Sequence, residues 1–167
     1  MLKYFIMLHI VQVDQSGKIE DTAQATILAL ANGITFTICI PSTVKRECIT
    51  VLRRVGITGK TMYNQLFATG LFFLLKDKIQ ELDKVIIDIE YIGREAQIKE
   101  HLIQLLRRVH GTVESQRIQF GHIGEHTAAD EIARQTLHKK RKPDKVISLE
   151  MILGEFQAKK KSGITSR

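Results

Sequence analysis

Apolar and polar positions change rhythm several times along this chain, and each change predicts an element. Residues 4 to 14 alternate with a loose period of two and are rich in Ile, Val and Phe, the pattern of a strand buried on both faces that ends at Asp14. QSGK then supplies turn chemistry, TAQATILAL a second strand, and Asn32-Gly33 the strongest short hairpin signal there is. ITFTICIP is a third strand stopped by Pro41, so the chain opens with an antiparallel meander of three strands.

After Pro41 the spacing becomes helical. STVKRECITVLRRV offers Ser42 or Thr43 as an N-cap and places Val44, Cys48, Val51 and Leu52 on one side. GITG breaks that helix, and residues 60 to 82 resume as a long amphipathic one carrying Leu66, Phe67, Leu71, Leu74, Leu75, Ile79 and Leu82. KVIIDIEYIG reads as a fourth strand, REAQIKEHLIQLLRRV as a helix and QRIQFGHIG as a fifth strand. TAADEIARQTLHKK is a helix with Thr127 as N-cap, and SLEMILGEFQAKK a last helix after the break at Pro143. The order is β-β-β-α-α-β-α-β-α-α, an α/β domain with a five-stranded mixed sheet flanked by helices.

Composition narrows this picture. At 167 residues the chain is sized for one domain, with a basic helical extension from about residue 143. Apolar residues make up 44% and charged residues 26%, which excludes a disordered or fibrous protein. No run reaches the roughly 18 apolar residues of a membrane span, and Cys39 and Cys48 form no metal or disulfide pattern, so a reducing, cytoplasmic setting without membrane contact is expected. The net charge of +7 favours a polyanionic partner. Lys45, Arg46, Arg53, Arg54 and Lys60 are the candidate backbone contacts, against the plainer reading of a solvated helix face. The runs HKKRKPDK and KKK near the C-terminus add to the surplus. GITGKT has the look of a phosphate loop, but it lacks two residues between its glycines and follows a helix where a strand is required.

Acids inside apolar strands are costly to bury, so Asp14 and Asp88 demand a reason. Asp88 and Glu90 are two apart and would leave one face of a strand, and Asp130 sits early in a helix. If the first and fourth strands are parallel neighbours, these carboxylates converge. Such a cluster stays ionised only with cations, and hard ions such as Mg²⁺ or Mn²⁺ are the natural neutralisers.

Three motifs together carry a resemblance. VQVDQS, with Asp14 and Ser16, resembles the first-strand motif of the type 1 ribonuclease H family. IIDIEYI, with Asp88 and Tyr91, is similar to its fourth-strand pattern, and FGHIGEHTAADEIA, with Gly121, His122, Asp130, Glu131, Ile132 and Ala133, to its glycine-histidine loop and following helix. The resemblance spans about residues 4 to 142 and implies a ribonuclease H-like fold, with three antiparallel strands followed by parallel ones. It implies Asp14, Asp88 and Asp130 as metal ligands, His122 on a mobile loop assisting proton transfer or product release, and a two-metal nuclease acting on RNA/DNA hybrids or structured DNA. The helix before the fourth strand has Gln65 where that family has its remaining acid. Glu90 stands in for it, as a glutamate does in the Holliday-junction resolvase branch that HTAADEIARQTLH also resembles. Glu47 is a more remote substitute, His126 an alternative ligand, and a catalytically degenerate nucleic-acid-binding or assembly module is the competing outcome. A homodimer is left open.

Overall fold

A computed structural model of the protein describes the backbone of residues 8–162 and the side chains of residues 8–156. The expected strand start at residue 4 and the side chains of the lysines at 159 to 161 lie outside those limits. Among the described residues six strands form one sheet: β1 His9–Ser16, β2 Thr26–Ala31, β3 Phe36–Ile40, β4 Leu82–Asp88, β5 Ile118–Gly121 and β6 Lys145–Val146, in the order β5-β4-β1-β2-β3-β6. The antiparallel meander of β1, β2 and β3 is as the sequence predicts. The connection from β2 to β3 is longer than the two-residue turn that Asn32-Gly33 suggests: Leu30 pairs with Phe36, which centres the loop on Gly33, and Asn32 at φ 90° and Gly33 at φ 97° take the positive values that favour these two residue types.

β4 joins β1 in parallel and β5 joins β4 in parallel. The expectation of five strands is corrected by β6, which pairs in parallel with β3. Two residues are too few to leave a period in the sequence. Their pairing depends instead on Asp144, whose carboxylate accepts from the Thr37 N–H at 2.8 Å and hydroxyl at 3.0 Å.

Alternation along β1 divides the chemistry of the two sheet faces. Val11 and Val13 join Leu28, Leu30, Ile38, Ile40, Val85 and Ile87 in the main core. Helices α1 Ser42–Arg54, α2 Gly59–Leu75, α3 Glu95–His110 and α5 Leu149–Ser162 contribute to that same core. Asp14 points the other way, in register with Ala29, toward the side where α4 Ala128–Leu137 packs Ala133 against Ile27 and Ala29.

Two helices depart from expectation. α2 stops at Leu75 and is buried along its whole second half, Leu66 to Leu75, because the sheet lies on one side of it and α3 and α5 on others. At about 1.5–3 kcal/mol for each large apolar side chain buried, such a run outweighs the amphipathic pattern read from spacing. Gly70 allows the close approach, since a Cβ there would meet Leu28 Cδ1 at 3.0 Å and Ile40 Cδ1 at 3.2 Å. In α1 neither Ser42 nor Thr43 caps the helix. Ser42 is already helical, Pro41 precedes it, and the Pro41 carbonyl accepts from the Lys45 N–H at 3.0 Å. α4 begins as predicted, with Thr127 Oγ1 accepting from the Asp130 N–H at 3.2 Å. Among the described residues no helix is long and apolar enough to cross a membrane.

Candidate metal centre

Val13 stands opposite Ile87 in the parallel β1–β4 pair, so the next residues, Asp14 and Asp88, emerge side by side at the carboxyl ends of their strands. Glu90 joins them from the segment after β4. The strand ends at Asp88, two residues earlier than the alternation argument for Asp88 and Glu90 assumed, yet the side chains still meet. One oxygen from each of Asp14, Asp88 and Glu90 lies within 4.8 Å of the others.

Each acid has a fixed support. Asp14 is 7% exposed, and its Oδ1 accepts from the Gln15 N–H at 2.7 Å. Asp88 Oδ1 accepts from the Ile123 N–H at 2.9 Å, which ties the loop after β5 to the end of β4. Glu90 is held through its neighbour Tyr91, whose buried hydroxyl accepts from Gln15 Nε2 and the Ile19 N–H, each at 3.1 Å. The Tyr91 ring packs edge-on against Phe67 at 4.9 Å and under the Arg94 guanidinium at 4.7 Å.

Crowding raises the proton affinity of the group. Burial, and then the charges of Asp88 and Asp130, push Asp14 up to about 6 against the opposing hydrogen bond from Gln15. Burial, and then Asp14 and Asp88, push Glu90 up to about 7, with Lys18 pulling in the opposite direction. Three carboxylates at this spacing resist full ionisation near neutral pH unless a cation joins them. The donors are all hard oxygens, the set that suits Mg²⁺, Mn²⁺ or Ca²⁺. This one group could hold a metal ion.

The other expected residues are distributed differently. Asp130 contributes its field to Asp14 and Glu90, but its Oδ2 accepts from the His126 N–H at 3.0 Å and pairs with Arg134 at 3.3 Å. His126 supplies that N–H from a left-handed conformation, φ 63°. His122 is exposed on the loop beside Ile123. Gln65 lines a groove between α2 and α3 with Thr61, Asn64, Gln97 and His101, so the helix before β4 adds nothing to the carboxylates. Glu47 is exposed on α1.

Lys45, expected as a nucleic-acid contact, is 2% exposed. Its ammonium donates to the Lys18 and Asp21 carbonyls and to Thr26 Oγ1, which fastens the β1–β2 loop. Arg46, Arg53, Arg54 and Lys60 are exposed, but they belong to α1 and the start of α2, the layer across the sheet from Asp14. Sequence reasoning missed the positioning roles of Gln15, Tyr91 and the Ile123 N–H. Only Tyr91 carried a signal, as the tyrosine three places after Asp88.

Compared with protein-family models, with curated proteins and with solved structures, the chain matches none.

Proposed function

We propose that this protein is a divalent-metal-dependent nuclease that hydrolyses phosphodiester bonds, with the RNA strand of RNA/DNA hybrids and branched DNA as its two candidate substrates. The observation that carries this reading is the convergence of Asp14, Asp88 and Glu90 oxygens within 4.8 Å. Support comes also from a sheet whose first three strands are antiparallel and whose β4 and β5 continue in parallel from β1, the arrangement a ribonuclease H-like resemblance implies. The surplus of +7 favours a polyanion.

In this reading Asp14, Asp88 and Glu90 hold Mg²⁺ or Mn²⁺, and Asp130 adds negative potential at their edge. Ions held there would supply an activated water and stabilise a departing oxygen. Gln15 and Tyr91 keep the carboxylates in place, and His122 is the proton carrier on the loop that Ile123 ties to Asp88. With Mg²⁺ or Mn²⁺ the purified protein is expected to cut an RNA/DNA hybrid or a four-way DNA junction, and Asp14→Asn to abolish cutting. A folded protein that cuts neither substrate with either ion rejects the proposal.

Two observations favour a second reading, a non-catalytic nucleic-acid-binding or assembly module. Asp130 is engaged by Arg134 and the His126 N–H, and Gln65 points into another groove. That reading predicts salt-sensitive binding that chelator and Asp14→Asn leave unchanged.

A further inference from the structure

The Asp14 face of the sheet carries a second feature. At the far end of α4 a groove of about 360 Å³ has Ile27 and Cys39 in its floor and Lys139, Lys140, Arg141 and Lys142 along its rim. This is the lower end of the size range of small-molecule sites. Cys39 pairs with Ile27, which pairs with Ser16, two residues beyond Asp14 on the same face of β1.

The basic rim is not a loose tail. It leaves α4 through a tight turn in which Lys139 takes φ 61° and the Lys140 and Arg141 N–H groups both donate to the Gln135 carbonyl. It ends at Asp144, clamped to Thr37, and runs into β6, where the Ile147 N–H donates to the Cys39 carbonyl at 2.8 Å. Four consecutive cations are therefore held in a fixed arc over an apolar floor. Among the described residues none of the four takes part in an ion pair. Like charges so arranged repel one another, and an anion relieves them. An apolar floor beneath them suits a flat, weakly polar body attached to that anion.

α4 joins this groove to the carboxylates. Its first turn holds Asp130 and its last turn holds Thr136 and Leu137 in the groove wall. At 1.5 Å per residue the two ends are about 10 Å apart, the span of about three nucleotides of a strand at 3.4 Å each.

We propose that the groove is a nucleotide subsite. It seats an unpaired nucleotide of the bound strand, with the base over Ile27 and Cys39 and its phosphate among Lys139 to Lys142, a few nucleotides from the phosphodiester presented to the carboxylates. The site thereby selects nucleic acid with a single-stranded segment beside the scissile bond. This deepens the nuclease reading and rests on it for where the strand leads.

Cys39 gives the groove its own reporter, because it is half-buried in the floor whereas Cys48 is fully buried, its thiol pushed up to about 12. N-ethylmaleimide labelling of the full chain in EDTA, followed by mass spectrometry, therefore reads Cys39. Saturating single-stranded oligothymidylate is expected to slow that labelling several-fold, and a blunt duplex to leave it unchanged. Charge reversal at the exposed Lys140 and Lys142, both to Glu, should weaken oligothymidylate binding about tenfold and flatten its salt dependence by about 0.7 per cation. Failure of the nuclease reading shows separately, as absent Mn²⁺ binding with Cys39 protection intact. Unprotected Cys39 at saturation, equal protection by the duplex, or full affinity in the charge-reversed variant would overturn the subsite.

Discussion

Asp88 and Ile123 are separated by 35 positions in the chain, yet the Ile123 N–H donates to the Asp88 carboxylate at 2.9 Å. The bond makes one acid serve two purposes, a member of the carboxylate cluster and an anchor for the loop bearing His122. Asp88→Asn keeps an oxygen acceptor and loses the charge, whereas Asp88→Ala loses both. Hydrogen exchange should therefore leave the Ile123 amide protected in Asp88→Asn. In Asp88→Ala its exchange should be about tenfold faster, the consequence of losing a hydrogen bond of about 1–2 kcal/mol. Both variants should lose Mn²⁺ binding by calorimetry. Unchanged Ile123 exchange in Asp88→Ala would show that the loop is held by something else.

Asp14 sits buried between Asp88 and Glu90, and without a cation it opposes folding at neutral pH. Asp14→Asn removes the charge and keeps the shape, so the metal-free variant should be more stable than wild type by about 1–2 kcal/mol at pH 7.5. Adding Mn²⁺ should reverse the ranking, raising the melting temperature of wild type and leaving the variant where it was. A variant that melts lower in chelator would show that Asp14 contributes structure beyond its charge.

The same raised affinities set a pH dependence. Asp14 at about 6 and Glu90 at about 7 both stand above their ordinary values of 3.8 and 4.5. Between about pH 4 and 7 the folded chain thus binds more protons than the unfolded one, and stability falls as pH rises through that window. The metal-free protein should melt higher at pH 5 than at pH 8. Mn²⁺ competes with those protons, so its affinity should grow from pH 5 to pH 8 and the melting profile flatten in its presence. Thermal melts across that range, with and without ion, check both signs.

Two of the carboxylates were legible because an acid in an apolar strand is costly enough to mark the position: VQVD and IID declare Asp14 and Asp88 before any contact is known, whereas Glu90, beyond the end of β4, was reached through its spacing from Asp88. The meander and the Thr127 cap were legible for a similar reason, since Asn32-Gly33 and a threonine before a helical run act locally. Lys45 was misjudged because helical spacing reports a face and not what covers it. The β1–β2 loop folds back over that face and supplies carbonyl acceptors from 27 and 24 positions away. β6 and the clamp from Asp144 to Thr37, 107 positions apart, are likewise products of tertiary packing that leave no local pattern.

Lys45 itself carries the last prediction. Its ammonium is buried among neutral oxygens with no carboxylate bonded to it, and burial pushes its pKa down to about 8 from 10.5. Removing the side chain's donor strands the Lys18 and Asp21 carbonyls and Thr26 Oγ1, so Lys45→Met should cost about 2–4 kcal/mol. Because the folded chain releases this proton more readily than the unfolded one, wild type should gain stability relative to Lys45→Met as pH rises from about 8 to 10.5. The loop that Lys45 fastens also bears Lys18, whose charge acts on Glu90, and Ile19, which donates to Tyr91. Loosening it should therefore weaken Mn²⁺ binding several-fold without altering any of the three carboxylates. Denaturant titrations at pH 7.5 and 10 measure the first effect and calorimetry the second. Equal stability of Lys45→Met and wild type at pH 7.5 would mean that water satisfies those oxygens as well as the buried ammonium does.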